Sequence, residues 1–200
     1  VNELLSPNDL PRELLEEANI VHLTSVPPNI VDEIANRASK LGIMVSYDPG
    51  IYTYSEREKI YRILDKVNIL FLNKTEAKHL AGADIESLLK YGIDIVVVKK
   101  GAGGAYAIQH GGLYYHGISK PIDKPINTTG AGDAFDAFFN ATYLESRDIG
   151  KALAHALAAG ALKTTCKTST LCYDKSMFNK QLKETIVEIV KKPDEWVIED

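Results

Sequence analysis

Short apolar runs alternate with longer segments of helical period along the first half of the chain. The runs are apolar almost throughout, which is typical of strands that are buried on both faces of a sheet. They cover residues 19–25, 42–48, 68–73 and 94–100. The segments between them carry apolar positions three and four residues apart, which predicts helices at residues 28–41, 55–66 and 73–91. This order implies right-handed crossovers, so we predict an α/β sandwich with a parallel sheet and helices on both of its faces.

The pattern changes after Lys100. The segment GGAYAIQHGGLYYHGI contains two strand-like runs, residues 104–109 and 113–118, on either side of the turn HGG, and predicts an antiparallel hairpin. From residue 130 onward the period is helical again. We predict three helices there, at residues 131–145, 148–164 and 174–191.

Composition excludes several classes of partner. The chain has 200 residues, of which 45% are hydrophobic and 25% charged, as expected for one ordinary globular domain. A net charge of −4 without a basic stripe disfavours nucleic acid as a partner. No apolar stretch approaches the roughly 20 residues of a membrane span, and no signal-peptide pattern begins the sequence, so we expect no membrane association and a cytoplasmic location. Because Cys166 and Cys172 match no metal or redox spacing, we predict free thiols.

The stretch NTTGAGDAF carries the strongest chemical signal. It places Gly130 and Gly132 directly before a helix, where backbone N–H groups without internal partners form an anion site that the helix dipole reinforces. Asp133 would then lie beside any bound phosphate. Two explanations fit this acid: it caps the helix, or it is a general base that deprotonates a hydroxyl attacking a phosphoryl group.

Other nucleotide motifs are incomplete. The segment GAGGAY has Tyr106 where GxGxxG requires its third glycine, and the sequence contains no GxxxxGK[ST]. A Rossmann dehydrogenase is therefore disfavoured.

Three motifs in order resemble the ribokinase-like (phosphofructokinase-B) family of sugar and nucleoside kinases. NTTGAGDAF resembles the family signature, LNKTEAKHL resembles its NxxE motif at Asn73 and Glu76, and VVVKKGAGGAY resembles its strand-then-glycine segment. The resemblance implies a ribokinase-like three-layer α/β/α sandwich with a mainly parallel central sheet. It also implies an ATP-dependent carbohydrate kinase that uses Mg²⁺ and phosphorylates a hydroxyl of a sugar or related small molecule.

The resemblance also implies roles for individual residues. Asp133 would be the general base, and the backbone of Gly130, Ala131 and Gly132 would form the anion hole. Glu76 would help to hold the metal. The residues implied in cofactor binding are Asn73, Glu76, Lys99, Gly101, Gly104, Thr129 and His155.

Several of these residues have a structural alternative. Asn73 and Glu76 have the spacing of a capping box. Lys99 and Lys100 would equally fit a solvated strand end, and His155 would fit a packing residue of an apolar helix. At the sequence level these alternatives stay open.

The chain also departs from the family pattern. Asn127 replaces an aspartate that contributes to a monovalent-cation site in some relatives, so the resemblance does not carry potassium activation over to this chain. The motifs match only the C-terminal two-thirds of the family, and we expect the first strands, the small β lid and most acceptor contacts to be absent from this sequence. The resemblance allows a homodimer.

We therefore predict a single α/β kinase domain over residues 1–200. It would consist of βα units in residues 1–100, a β-hairpin in residues 101–120 and a helical nucleotide-binding region in residues 130–192. A nucleoside kinase of the same family and a catalytically silent nucleotide-binding relative are the alternatives.

Overall fold

The computed structural model describes residues 6–192, which fall into two compact units. The first unit comprises residues 6–98 and 108–112, and the second comprises residues 99–107 and 113–192. Every helix among the described residues is too short or too polar to cross a lipid bilayer.

The first unit contains the predicted strands. They are β1 (Ile20–Thr24), β2 (Met44–Asp48), β3 (Ile69–Asn73) and β4 (Ile95–Lys99, whose last residue belongs to the second unit), and they neighbour one another in that order. Strand β2 pairs in parallel with both β1 and β3, with Ile20 opposite Met44 and Ser46 opposite Ile69. The helices are α1 (Arg12–Glu16), α2 (Pro28–Lys40), α3 (Tyr52–Ser55), α4 (Arg57–Tyr61) and α5 (Lys74–Ala81).

The apolar character of β3 and β4 reflects burial on both faces. Ile69, Leu70, Phe71 and Leu72 are consecutive in β3, and none of them has any exposed surface. A strand with only one face on the core would alternate between apolar and polar residues instead. The predicted strands of this unit are therefore confirmed.

Two predicted helices are shorter than expected. The helix predicted over residues 55–66 is divided between α4 and a 3₁₀ turn at Leu64–Lys66, and the one predicted over residues 73–91 ends at Ala81. Gly82 follows with a φ of 63°, which an α-helix does not accommodate, and the chain continues as a 3₁₀ segment, Ile85–Tyr91. Apolar spacing alone does not register such an interruption.

The second unit begins with Lys99 and a 3₁₀ turn at Gly101–Gly103. Its regular elements are β5 (Ala105–Gln109, whose last two residues belong to the first unit), β6 (Leu113–Ser119), α6 (Ala131–Ser146), α7 (Ile149–Lys163), α8 (Lys175–Lys183) and β7 (Thr185–Val190). Strands β5 and β6 are neighbours. Because residues 110–112 alone connect them, they form the predicted hairpin.

The prediction of a helix over residues 174–191 is wrong in its second half. Helix α8 ends at Lys183, and residues 185–190 form β7, which pairs antiparallel with β6 from Thr185 opposite Ser119 to Val190 opposite Tyr114. The sequence of β7, TIVEIV, is rich in β-branched residues, which favour a pleated strand. Its apolar positions also fit one face of a helix, which is why the sequence pattern predicts a helix there.

The prediction of free thiols is also wrong, because Cys166 and Cys172 form a disulfide. The chain folds back between them, so that their Cα atoms are 5.5 Å apart, a normal separation for bridged cysteines. A search for metal and redox spacings does not detect such a bridge, because it depends on how the loop after α7 turns.

Candidate active site

Helix α6 begins at a glycine that has no side chain to cap it. Gly130 is the N-cap residue and has a φ of 82°, in the left-handed region. A Cβ atom at this position would lie 2.9 Å from the backbone oxygen of Ser169. Both the conformation and the space therefore require glycine here.

The first N–H groups of α6 are partly unpaired. The N–H of Ala131 donates to the oxygen of Thr128 at 3.1 Å, and that of Ala134 donates to Gly130 at 3.0 Å. For the N–H groups of Gly132 and Asp133, residues 6–192 provide no acceptor. The N–H of Ala131 is thus engaged within its own turn, whereas those of Gly132 and Asp133 are open to a ligand. The anion hole expected from Gly130, Ala131 and Gly132 stays a prediction.

Asp133 lies in the first turn of α6 with an exposed side chain. Within the part of the chain that the structure describes, its carboxylate makes no hydrogen bond or ion pair. The alternative in which Asp133 caps its helix is therefore not observed. The carboxylate is accessible to a ligand bound at the helix start.

The turn before α6 is held by Asn127. The Asn127 side chain accepts a hydrogen bond from the N–H of Thr129 at 2.9 Å and donates one to the oxygen of Lys167 at 3.0 Å. The N–H groups of Ile126 and Asn127 both donate to the oxygen of Thr164, at 2.7 and 3.0 Å. These bonds fix the turn before any ligand arrives.

Lys99 lies near the start of α6 and forms an ion pair with Asp136. The Lys99 Nζ atom is 2.9 Å from each carboxylate oxygen of Asp136, a residue with no exposed surface. The same Nζ atom would lie 3.5 Å from a Cβ on Gly132. The sequence suggested Lys99 but missed Asp136. The available signal was a second acid three residues after Asp133 in an otherwise apolar helix segment.

The other predicted residues of the segment after β4 have different surroundings. The Lys100 Nζ atom lies 5.2 Å from the centre of the Tyr106 ring, a cation–π contact. Gly104 is required by packing, because a Cβ there would be 2.0 Å from the oxygen of Gly117. Gly101 meets no such obstacle.

A cavity of about 300 Å³ lies against the start of α6. Its walls are mainly apolar and include Phe135, Leu157, Pro121 and Ile122. The predicted residues that line it are Lys99, Gly101, Gly104, Ala131 and Gly132. A mainly apolar pocket with a few polar lining groups is the usual form of a small-molecule site, and this volume is at the lower end of the range.

Thr129 and His155 are not among the residues that line the cavity. The Nδ1 atom of His155 is 3.1 Å from the hydroxyl oxygen of Thr142, and its ring meets that of Phe178 edge-on at 5.6 Å. Burial lowers the pKa of His155 below its ordinary value. These contacts fit the packing alternative, and the role of His155 in cofactor binding stays a prediction.

Asn73 and Glu76 belong to the first unit, where they form a capping box at the start of α5. The Asn73 side chain accepts from the N–H of Glu76 at 2.9 Å, and the Glu76 carboxylate accepts from the N–H of Asn73 at 2.8 Å. Residues 6–192 contain no group of three or more acidic, histidine or cysteine side chains that could hold a metal. A single carboxylate such as Glu76 fits Mg²⁺ only where phosphates and water supply the remaining ligands.

Comparison with known proteins gives this geometry a context. The sequence profile described as pfkB family carbohydrate kinase matches residues 2–176. An ATP-dependent ribose-1-phosphate kinase from Halopiger xanaduensis is 36% identical over 163 residues, which cover 81% of this chain and 54% of the relative. A nucleoside kinase from Methanocaldococcus jannaschii is 30% identical, covering 78% of this chain and 53% of the relative.

A solved structure is similar over most of the chain. The Arabidopsis thaliana ribokinase complexed with ribose and ATP superposes with a TM-score of 0.74 at 29% identity, over 90% of this chain and 60% of that one. This likeness confirms the predicted ribokinase-like α/β class. The chain spans about half the length of the curated relatives it matches.

Proposed function

Because the chain belongs to the pfkB family of carbohydrate kinases, we propose that it provides the phosphoryl-transfer site of an ATP-dependent kinase for a sugar or related small molecule. The observation that carries this proposal is the open start of α6. Two backbone N–H groups that find no acceptor within residues 6–192, an exposed carboxylate and the Lys99 ammonium all lie there. Each has a distinct role in phosphoryl transfer.

The nucleotide would occupy the apolar cavity. Its adenine would lie between apolar side chains such as Leu157 and Ile122, with its phosphates toward Lys99 and Gly132. The N–H groups of Gly132 and Asp133 would then hold the phosphoryl group during transfer, because the helix dipole and the unpaired donors favour negative charge there.

Asp133 would accept the proton of the acceptor hydroxyl. The hydroxyl oxygen forms a bond to the γ-phosphorus while the bond from that phosphorus to the β,γ-bridging oxygen breaks, and ADP leaves with the bonding electrons. Lys99 would stabilise the charge that develops on the phosphoryl oxygens. The ion pair with Asp136 restricts the position of the Lys99 ammonium, so the charge is placed in advance.

Mg²⁺ would neutralise charge on the phosphates. We assign Glu76, with Asn73, to this ion on the basis of the motif they share with the family. The cytoplasmic location and a homodimer also stay predictions.

The acceptor has two candidates. Similarity to a ribose-1-phosphate kinase favours a sugar or sugar phosphate, and similarity to a nucleoside kinase supports a nucleoside as the second candidate. The presence of Asp133, whose carboxylate is exposed at the start of α6, argues against the catalytically silent alternative.

The proposal can be tested by measuring ADP release from the full natural chain with ATP and Mg²⁺. The acceptors to compare are ribose, ribose 1-phosphate, 2-keto-3-deoxygluconate, fructose and several nucleosides. We expect one acceptor class to stimulate ADP release and to yield a stoichiometric phosphorylated product. ATP binding by calorimetry without transfer to any acceptor would instead establish the silent relative.

A further inference from the structure

Lys163, the last residue of α7, has no exposed surface, and the mechanism above does not use it. Its Nζ atom donates one long hydrogen bond, to the backbone oxygen of Asn127 at 3.4 Å. Over residues 6–192, no carboxylate lies within ion-pair distance of it. A buried ammonium without an anionic partner is costly, and the end of a helix dipole offsets only part of that cost. The position therefore calls for a compensating role.

The location of this charge suggests the role. The Cε atom of Lys163 would be 3.4 Å from a Cβ on Gly130, the N-cap residue of α6. Its acceptor, Asn127, is the residue whose side chain fixes the turn. The ammonium thus lies beneath the same turn whose open N–H groups begin α6, on a residue that does not line the cavity. In a low-dielectric interior, a positive charge at this depth is weakly screened from a phosphate above the turn.

We propose that Lys163 is a fixed cation that strengthens the phosphoryl-binding turn from behind, as a positioning residue that does not touch the substrate. It holds the Asn127 carbonyl and adds positive potential to the open amides of Gly132 and Asp133. This inference rests on the proposed function, because it deepens the account of the same turn. It predicts that anion binding and turnover depend on the charge of Lys163 and not only on its volume.

The test compares Lys163→Ala with the unmodified full chain in the presence and absence of methylammonium. Removal of the charge should lower kcat about 10²-fold, with a smaller change in the KM for the acceptor. Methylammonium, which fits the space that the side chain leaves, should restore at least ~10-fold of that loss. A purely structural role would predict no recovery specific to a small cation. Methanol and tetramethylammonium serve as neutral and oversized controls.

Lys151→Met is the matched control, because Lys151 is an exposed lysine on the same helix and lies outside the proposed site. Its kcat should match that of the unmodified chain, with no response to methylammonium. If Lys163→Ala does not fold, Lys163→Met replaces it as the test. Methionine keeps most of the buried volume and removes only the charge, so kcat should fall about 10²-fold while thermal unfolding shows a folded chain. A Lys163→Met variant with unchanged kcat would overturn the role of the charge.

A binding measurement separates this inference from the proposed function. Tripolyphosphate binding by calorimetry should weaken about 10-fold in Lys163→Ala and recover with methylammonium, whether or not any acceptor is phosphorylated. An active unmodified chain whose Lys163→Ala variant ignores methylammonium in both assays would overturn the role of Lys163 and leave the kinase proposal intact. An inactive unmodified chain that shows the binding effect would overturn the kinase proposal alone.

Discussion

Helices α5 and α6 both begin within a motif that the family resemblance singled out, yet their N-termini are built in opposite ways. At α5, Asn73 and Glu76 satisfy each other's backbone N–H groups through their side chains. At α6, Gly130 offers no side chain, and the N–H groups of Gly132 and Asp133 find no acceptor among residues 6–192. One helix start is closed by its own residues, and the other is open to a ligand.

The difference shows how a helix terminus can serve stability or binding. Each unpaired N–H is an unused donor, and a side-chain cap contributes about 0.5–2 kcal/mol to stability when it fills that donor. The start of α6 lacks this contribution and depends on tertiary bonds instead, such as those from Asn127 to Lys167 and from Ile126 to Thr164. An open terminus held in this way is prearranged for an anion.

The largest effect is expected from Asp133→Asn, at the open start of α6. If the carboxylate at the open terminus is a base, kcat should fall by about 10²–10⁴, because an amide cannot accept the proton. The affinity for ATP should be largely kept, since the amides remain. Steady-state kinetics and calorimetry measure the two quantities.

Asp174→Asn provides the control for Asp133→Asn. Asp174 caps α8 by accepting from the N–H of Met177, and asparagine is an equally good cap, so neither kcat nor stability should change. Near-normal turnover of the Asp133 variant would show that the open terminus does not use its carboxylate for catalysis.

Gly132→Ala tests whether a phosphoryl group approaches the open N–H groups of α6. A methyl group at Gly132 meets only the Lys99 Nζ atom, at 3.5 Å, so the variant should fold normally. It would nevertheless intrude where the phosphoryl group must approach the amides, and kcat should fall about 10²-fold. Thermal unfolding should therefore show an unchanged Tm, whereas steady-state kinetics should show a reduced kcat. A variant with full activity would place the transferring group elsewhere.

Gly130→Ala, by contrast, should lower the stability of the protein. Its φ of 82° and the Ser169 oxygen at 2.9 Å from the added Cβ both oppose a side chain, so we expect a loss of about 1–3 kcal/mol in the free energy of unfolding. Denaturant titration measures this loss. Stability equal to that of the unmodified chain would mean that the turn adjusts easily and is not held as rigidly as its hydrogen bonds indicate.

The sequence predicted the elements whose signal is local. Strand β3 is buried on both faces, and the turn before α6 needs glycine, so the structure restricts the residue types at both places directly. The sequence of strand β7 is ambiguous, because TIVEIV fits the period of a helix as well as that of a strand until its partner β6 is known. The disulfide between Cys166 and Cys172 likewise depends on how a loop turns.

In the candidate site, the sequence indicated the residues that we propose to contact the ligand more readily than those that we propose to support them. Asp133, Gly132 and Lys99 belong to recognisable motifs. Asp136 and Lys163 make contacts with residues 37 and 36 positions away in the sequence, and neither spacing nor periodicity encodes such contacts. The available signal was a charged residue within an apolar helical segment, since charged residues are seldom fully buried unless they are paired.

The smallest effect is expected at the closed terminus, from Glu76→Gln. Glutamine also completes a capping box, so the free energy of unfolding should change by less than about 0.5 kcal/mol, whereas Asn73→Ala should lose about 1 kcal/mol. If Glu76 also serves Mg²⁺, removal of its charge should raise the Mg²⁺ concentration required for half-maximal activity about 10-fold. A Mg²⁺ titration of kinase activity tests this second role. An unchanged Mg²⁺ requirement with intact stability would confine Glu76 to capping, and the two helix termini would then divide structure and binding completely between them.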